Sequence, residues 1–194
     1  MKIAFHTIGC RLNQYETAVI RNTFDPAEYT VVPVEEPADI VVINTCTVTH
    51  KSDTDTRRFI TRLRKLNPHV SVALIGCQAQ LQAAEMSRWP NVRWVIGNAR
   101  KFDLARILEE FKASPSVHIE TPAIGRAAAF SNPSNIFGID PEHTRANLKI
   151  QDGCDFSAPS VKSRSRAEGP AAGNSRISFE RQRPWPAPGI RRSS

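Results

Sequence analysis

Three apolar, β-branched runs in this chain each close on a cysteine: "KIAFHTIGC" ends at Cys10, "DIVVINTC" at Cys46 and "SVALIGC" at Cys77. The runs "YTVVPV" at 29 to 34 and "VRWVIG" at 92 to 97 have the same character without the cysteine. Continuous rather than alternating hydrophobicity suits strands buried on both faces, the condition of a parallel sheet. Between most of these runs the spacing is helical. Residues 13 to 24 set Tyr15, Val19 and Ile20 on one side, and residues 51 to 66 do the same with Phe59, Ile60, Leu63 and Leu66. Residues 81 to 89 and 99 to 111 predict two more helices, the last with Phe102, Leu104, Ile107, Leu108 and Phe111. Strands alternating with helices predict a small α/β domain, doubly wound on a mostly parallel sheet, over residues 1 to 111. The step from 34 to 39 is too short for a helical crossover, which predicts an edge strand at 29 to 34.

The carboxyl ends of strands in an open parallel sheet share one edge, where such folds take their ligands. Three thiols separated by 36 and 31 residues in sequence are therefore expected to converge in space. These spacings lack the close ligand pairs of a zinc ribbon, and no CxxC redox pair is present. Soft thiolates suit iron-sulfur chemistry or zinc. The competing reading makes each cysteine a small buried hydrophobe; three equivalent positions weigh against it. His6, His50, His69, His118 and His143 read as core or surface residues. Arg57, Arg58, Arg62, Arg64 and Lys65 read as a solvated helix face, with RNA contact as the alternative.

A chain of 194 residues with 40% hydrophobic content has room for one ordinary domain and a further piece. No run of eighteen apolar residues occurs, and Met1 leads straight into a strand-like segment, so the expectation is a cytoplasmic protein without a membrane partner. The net charge of +7 lies almost wholly in residues 157 to 194, which hold eight Lys or Arg against two acids. A nucleic-acid reading of the basic balance thus concerns the tail rather than the domain. Residues 112 to 146 carry Pro, Gly, Ser and Ala without a sustained period and read as a linker. "NLKIQDGC" within 147 to 156 reads as the first strand of a new unit, and the Ser, Pro, Gly and Arg content after it suits disorder.

"TIGCRLNQYET", "INTCTVTHKSD" and "LIGCQAQ", in that order, resemble the amino-terminal domain of the radical S-adenosylmethionine methylthiotransferases, and "HTRANLKIQDGCDF" resembles the start of their catalytic barrel. "GCRLNQYET" is most similar to the branch acting on threonylcarbamoyladenosine at position 37 of tRNA. The resemblance implies a flavodoxin/Rossmann-like domain whose Cys10, Cys46 and Cys77 hold an auxiliary 4Fe-4S cluster involved in sulfur donation. It implies a second 4Fe-4S cluster, on a C-x3-C-x2-C motif in the barrel, that binds and cleaves S-adenosylmethionine. The radical so formed removes hydrogen from carbon 2 of the adenine, where a methylthio group enters. Cofactors supply that chemistry, and the protein positions them. The family partner is tRNA.

Cys154 matches the first cysteine of that motif, but Ala158 and Val161 stand where the other two belong. Loss of one nucleotide in the codons for "DFF", which begin at Asp155 and Phe156, would account for the departure. Alanine codons begin GC and valine codons begin GT, so a T closing the Ser157 and Ser160 codons restores cysteine at positions 158 and 161. The expectation is an amino-terminal domain with a short barrel stub at 147 to 156 and an out-of-frame basic tail at 157 to 194, inactive alone, with neither the second cluster nor S-adenosylmethionine bound and RNA binding by this chain in doubt. The alternative is a noncatalytic iron-sulfur or electron-transfer module.

Overall fold

The computed structural model describes residues 1–46 and 50–122, of which 50–53 in backbone only, together with the residue pairs 151–152 and 171–172. Six strands, β1 (Lys2–Thr7), β2 (Thr30–Val31), β3 (Ile40–Thr45), β4 (Ser71–Gly76), β5 (Val92–Ile96) and β6 (His118–Glu120), form one sheet in the order β2-β1-β3-β4-β5-β6. Every pairing in it is parallel. The helices are α1 (Arg11–Arg21), α2 (His50–Leu66), α3 (Cys77–Met86) and α4 (Leu104–Glu110), the last entered through a 3-10 turn at Lys101–Asp103.

All six residues of β3 are buried, which is why its sequence is apolar without alternation. On one face Val41, Ile43, Val72, Leu74 and Val95 meet Ile60 and Leu63 of α2 and Ala79 and Met86 of α3. On the other, Ile3, Val42, Ile75, Trp94 and Ile96 meet Ile20 of α1 and Leu104, Ile107 and Leu108 of α4. Each fully buried Ile or Leu contributes about 1.5–3 kcal/mol relative to leaving it in water. The predicted doubly wound domain and the edge position of β2 are both found.

Two details differ from the sequence expectation, and a third departs from the usual geometry of parallel sheets. Helix α3 begins at Cys77 rather than at 81, so this cysteine opens the helix. The expected linker contains β6, which pairs Trp94 with His118 and Ile96 with Glu120. Three residues are too few to show a period, so only the ladder reveals this strand. Finally, β5 to β6 steps along the sheet in the same direction as β3 to β4 and β4 to β5, yet its helix α4 lies on the α1 face. That crossover is of opposite hand to the others, against the general rule for parallel connections. Its consequence is that the 3-10 turn lands beside α1.

Beyond residue 122, β7 (Gln151–Asp152) and β8 (Ala171–Ala172) pair antiparallel. Most of the expected linker, Cys154, Ala158, Val161 and the rest of the expected disordered tail lie outside the described residues.

Candidate metal centre

The three cysteines stand on the predicted sheet edge. Thr45 of β3 is in register with Gly76 of β4, so Cys46 and Cys77 leave neighbouring strands at the same level. Thr7 of β1 is in register with Asn44, and the Ile8 amide extends the ladder by donating to the Asn44 carbonyl at 2.9 Å. Two residues later Cys10 caps α1. All three thiols are free; Cys10 is exposed, Cys46 is buried and Cys77 lies between.

Glycine sets how closely the backbone approaches these thiols. Gly9 has φ +138°, and a Cβ there would lie 2.5 Å from Cys46 Cβ and 2.9 Å from Asn13 Nδ2. Gly76 has φ +97°, with Asn44 Oδ1 2.5 Å from the place of its missing Cβ. Both positions use backbone conformations that side chains rarely adopt, and both lack space for one.

A set of buried polar side chains ties these turns together. Asn13 Nδ2 donates to the Ile8 carbonyl at 3.3 Å and the Thr45 carbonyl at 3.2 Å, while its Oδ1 accepts from Cys10 Sγ at 3.3 Å. Asn44 Nδ2 donates to the Asn13 carbonyl and to Thr17 Oγ1, both at 3.1 Å. Thr17 Oγ1 also accepts from Thr7 Oγ1 and donates to the Asn13 carbonyl, which uses the full capacity of its hydroxyl. Asn44 Oδ1 is buried with no hydrogen-bond partner among the described residues.

Cys77 has a separate set of partners. Asn98 Nδ2 donates to Cys77 Sγ at 3.5 Å, and Lys101 Nζ donates to Asn98 Oδ1 at 3.2 Å. Lys101 in turn pairs with Glu16 of α1 at 2.7 Å. Burial pushes the Cys77 thiol up; the Asn98 hydrogen bond and the Lys101 ammonium pull the other way. A metal binding this sulfur would therefore have to displace its proton.

The donor chemistry fits a soft metal or an iron-sulfur cluster: three free thiols at three neighbouring strand ends, with glycines clearing the backbone beside Cys46 and before Cys77. In the present arrangement no group of three or more Cys, His, Asp or Glu side chains among the described residues is gathered closely enough to hold a metal ion. Cys10 and Cys77 instead spend their sulfur contacts on Asn13 and Asn98.

A cleft of about 400 Å³ lies at the same end of β1, lined by His6, Thr7, Ile8, Asp55, Arg58, Phe59 and Arg62. His6 stacks on Phe59 with ring centroids 3.8 Å apart, a packing role of the kind its sequence position suggests. Burial holds the imidazole below its usual pKa, with Arg62 acting in the same direction and Glu35 opposing. The unfolded chain therefore takes up this proton more readily than the folded one. Above pH about 6.5 His6 is neutral in both states and neutral toward stability. As pH falls through that value, stability is lost, by up to about 1.4 kcal/mol per pH unit until the folded-state pKa is passed. Urea unfolding at pH 7.5 and at pH 5 should show a smaller loss for His6→Phe than for the unaltered chain.

Asn13, Glu16, Asn44, Asn98 and Lys101 carry no metal-site signal in the sequence. The repeated phrase "IGC" at 8 to 10 and 75 to 77 marks the two glycine turns in retrospect. Nothing in sequence marks Lys101 as buried, because it faces α1 only through the unusual crossover after β5.

Residues 2–97 match the family described as "Uncharacterized protein family UPF0004". Over 155 residues the chain is 37% identical to the threonylcarbamoyladenosine tRNA methylthiotransferase MtaB of Aquifex aeolicus, covering 80% of this chain and 37% of that protein. The MtaB of Bacillus subtilis is 35% identical over 153 residues, 79% of this chain and 34% of the relative. A tRNA-2-methylthio-N(6)-dimethylallyladenosine synthase of Rickettsia prowazekii is 26% identical over 164 residues, covering 79% of this chain and 36% of that enzyme. The chain thus spans little more than a third of the length of these relatives. A doubly wound domain with its cysteines on one sheet edge, matched over most of the chain by the MtaB enzymes, makes this chain a member of the tRNA methylthiotransferase family, on its threonylcarbamoyladenosine branch.

Proposed function

We propose that Cys10, Cys46 and Cys77 hold an auxiliary 4Fe-4S cluster, in a domain built to serve methylthiolation of threonylcarbamoyladenosine in tRNA. The observation that supports this most is the presence of three free thiols at the carboxyl ends of three adjacent parallel strands. Such a cluster, when bound by three cysteines, supplies an iron with no protein ligand that can take a sulfur species. The chain's own residues provide the setting. Cys46 is a buried anchor, Gly9 lets its turn close against it, Gly76 lets the turn before Cys77 close against Asn44 and Thr45, and Asn13 ties the start of α1 to the ends of β1 and β3. Free thiols of this kind suit the reducing cytoplasm.

This polypeptide carries Cys154 but Ala158 and Val161 at the other two positions of the barrel motif, so it does not cleave S-adenosylmethionine by itself. Incubated with S-adenosylmethionine, a reductant and tRNA, the chain as written should release no 5'-deoxyadenosine and leave the tRNA unmethylthiolated. A chain continued in the restored reading frame after Phe156 should do both. Product from the chain as written would overturn this account of residues 157 to 194, as would a gene in which no shifted frame encodes the rest of a barrel. Iron and sulfide counted after anaerobic reconstitution test the cluster separately; a chain that takes up neither does not hold one.

A further inference from the structure

The ion pair between Lys101 and Glu16 is unexplained by the three cysteines alone. Its two side chains are only 8% and 3% exposed. Burying an ammonium and a carboxylate costs several kcal/mol per ion, and their mutual attraction often fails to offset this against an apolar pair of the same volume. A pair kept in such a place calls for a role beyond packing, and its neighbours indicate one. Lys101 Nζ occupies the acceptor end of the Asn98 carboxamide at 3.2 Å, which leaves the donor end for Cys77 Sγ at 3.5 Å. The Asn98 backbone is held as well, its amide donating to Gln80 Oε1 at 3.2 Å. Glu16 fixes the ammonium from the neighbouring helix α1. The Phe102 ring, 5.5 Å from Nζ, adds a further contact.

We propose that Asn98 and the Lys101–Glu16 pair form a positioning bracket for Cys77: the carboxamide presents a hydrogen-bond donor to the sulfur, and the ammonium places a fixed positive charge behind the metal-binding edge. The inference rests on the reading that the three cysteines hold a cluster. A reduced cluster is one charge more negative than the oxidised form, so a nearby ammonium and a donor to a ligating sulfur both favour reduction. Of the two charges, the ammonium is the one that reaches Asn98, the residue bonded to Cys77, while the carboxylate joins this chain of contacts at its far side, through Lys101. Asn98, Lys101 and Glu16 are positioning residues; none needs to touch the cluster.

The test uses the full chain, reconstituted anaerobically with iron and sulfide and titrated for its midpoint potential. Glu16→Gln with Lys101→Met removes both charges together, so no lone buried ion is left to unfold the domain. This double variant should shift the ratio of reduced to oxidised cluster about tenfold toward oxidised at a fixed potential, a lowering of about 59 mV for a one-electron couple. Asn98→Leu should lower the potential in the same direction, and Lys101→Arg, which keeps the charge, should leave it nearly unchanged. Loss of iron from the double variant with circular dichroism and melting unaltered also supports the bracket. Equal potentials in the unaltered chain, the double variant and Asn98→Leu overturn it, as does a shift in Lys101→Arg as large as that in Asn98→Leu. If the unaltered chain takes up no iron, the cluster reading has failed and the bracket falls with it.

Discussion

Replacing Cys10, Cys46 and Cys77 together by serine should abolish the iron and sulfide that the chain retains after anaerobic reconstitution. A serine hydroxyl is nearly the same size as a thiol but is a hard, weakly acidic donor that does not substitute for thiolate on iron. The fold should survive the change. Cys10 is exposed and Cys77 partly so, and only Cys46 is buried, so the triple variant should unfold within about 1–3 kcal/mol of the original in urea, the cost of burying one hydroxyl. Single replacements should rank by burial, with Cys46→Ser losing the most iron because its side chain is packed directly against Gly9. Undiminished iron in the triple variant, with its melting curve intact, would sink the assignment of these three ligands. Zinc retained in place of iron by the unaltered chain would move it from cluster chemistry to a structural metal.

The second large effect concerns the two glycines. Gly9→Ala introduces a Cβ 2.5 Å from that of Cys46 at a backbone φ of +138°. Gly76→Ala sets one 2.5 Å from Asn44 Oδ1 and 2.6 Å from the Thr45 carbonyl oxygen at φ +97°. Backbone strain of about 1–3 kcal/mol and overpacking of about 1–3 kcal/mol act together at each position. Either change should therefore cost about 2–6 kcal/mol in denaturant unfolding, a large share of the total stability of an ordinary domain. Gly97→Ala is the internal control. Its Cβ would meet Gln80 Oε1, the end of a side chain that can swing away, at a backbone φ outside the left-handed region. It should cost about 1 kcal/mol, the worth of the Gln80 contacts to Asn98 and Pro122. Similar costs for all three glycines would mean that the turns at Gly9 and Gly76 are not the constrained points of this edge.

Much of the frame was legible before the structure. The apolar runs at β1, β3, β4 and β5 are buried on both faces and read as such, and the short step before β3 correctly made β2 an edge strand. Cys46 and Cys77 were expected at strand ends because each directly follows a run whose last residues lie in the ladder. Cys10 was placed by the same logic, and the structure adds that it caps α1. The start of α3 and the existence of β6 were missed for local reasons. Cys77 to Gln80 have no apolar period to announce a helix, and "HIE" is too short to carry a strand signal.

The order of residues alone determined that this chain alternates strand with helix, that its cysteines follow strands, and that its branch of the methylthiotransferases is the one whose phrases it shares. Those properties are periodic or positional and survive in one dimension. Only the tertiary structure decided that Glu16 and Lys101, 85 residues apart, form a buried ion pair, and that Asn98 turns its carboxamide between that pair and Cys77. The physical reason is that these contacts depend on which face of the sheet α4 covers. That choice follows from packing Leu104, Ile107 and Leu108 beside α1, and no local spacing records it.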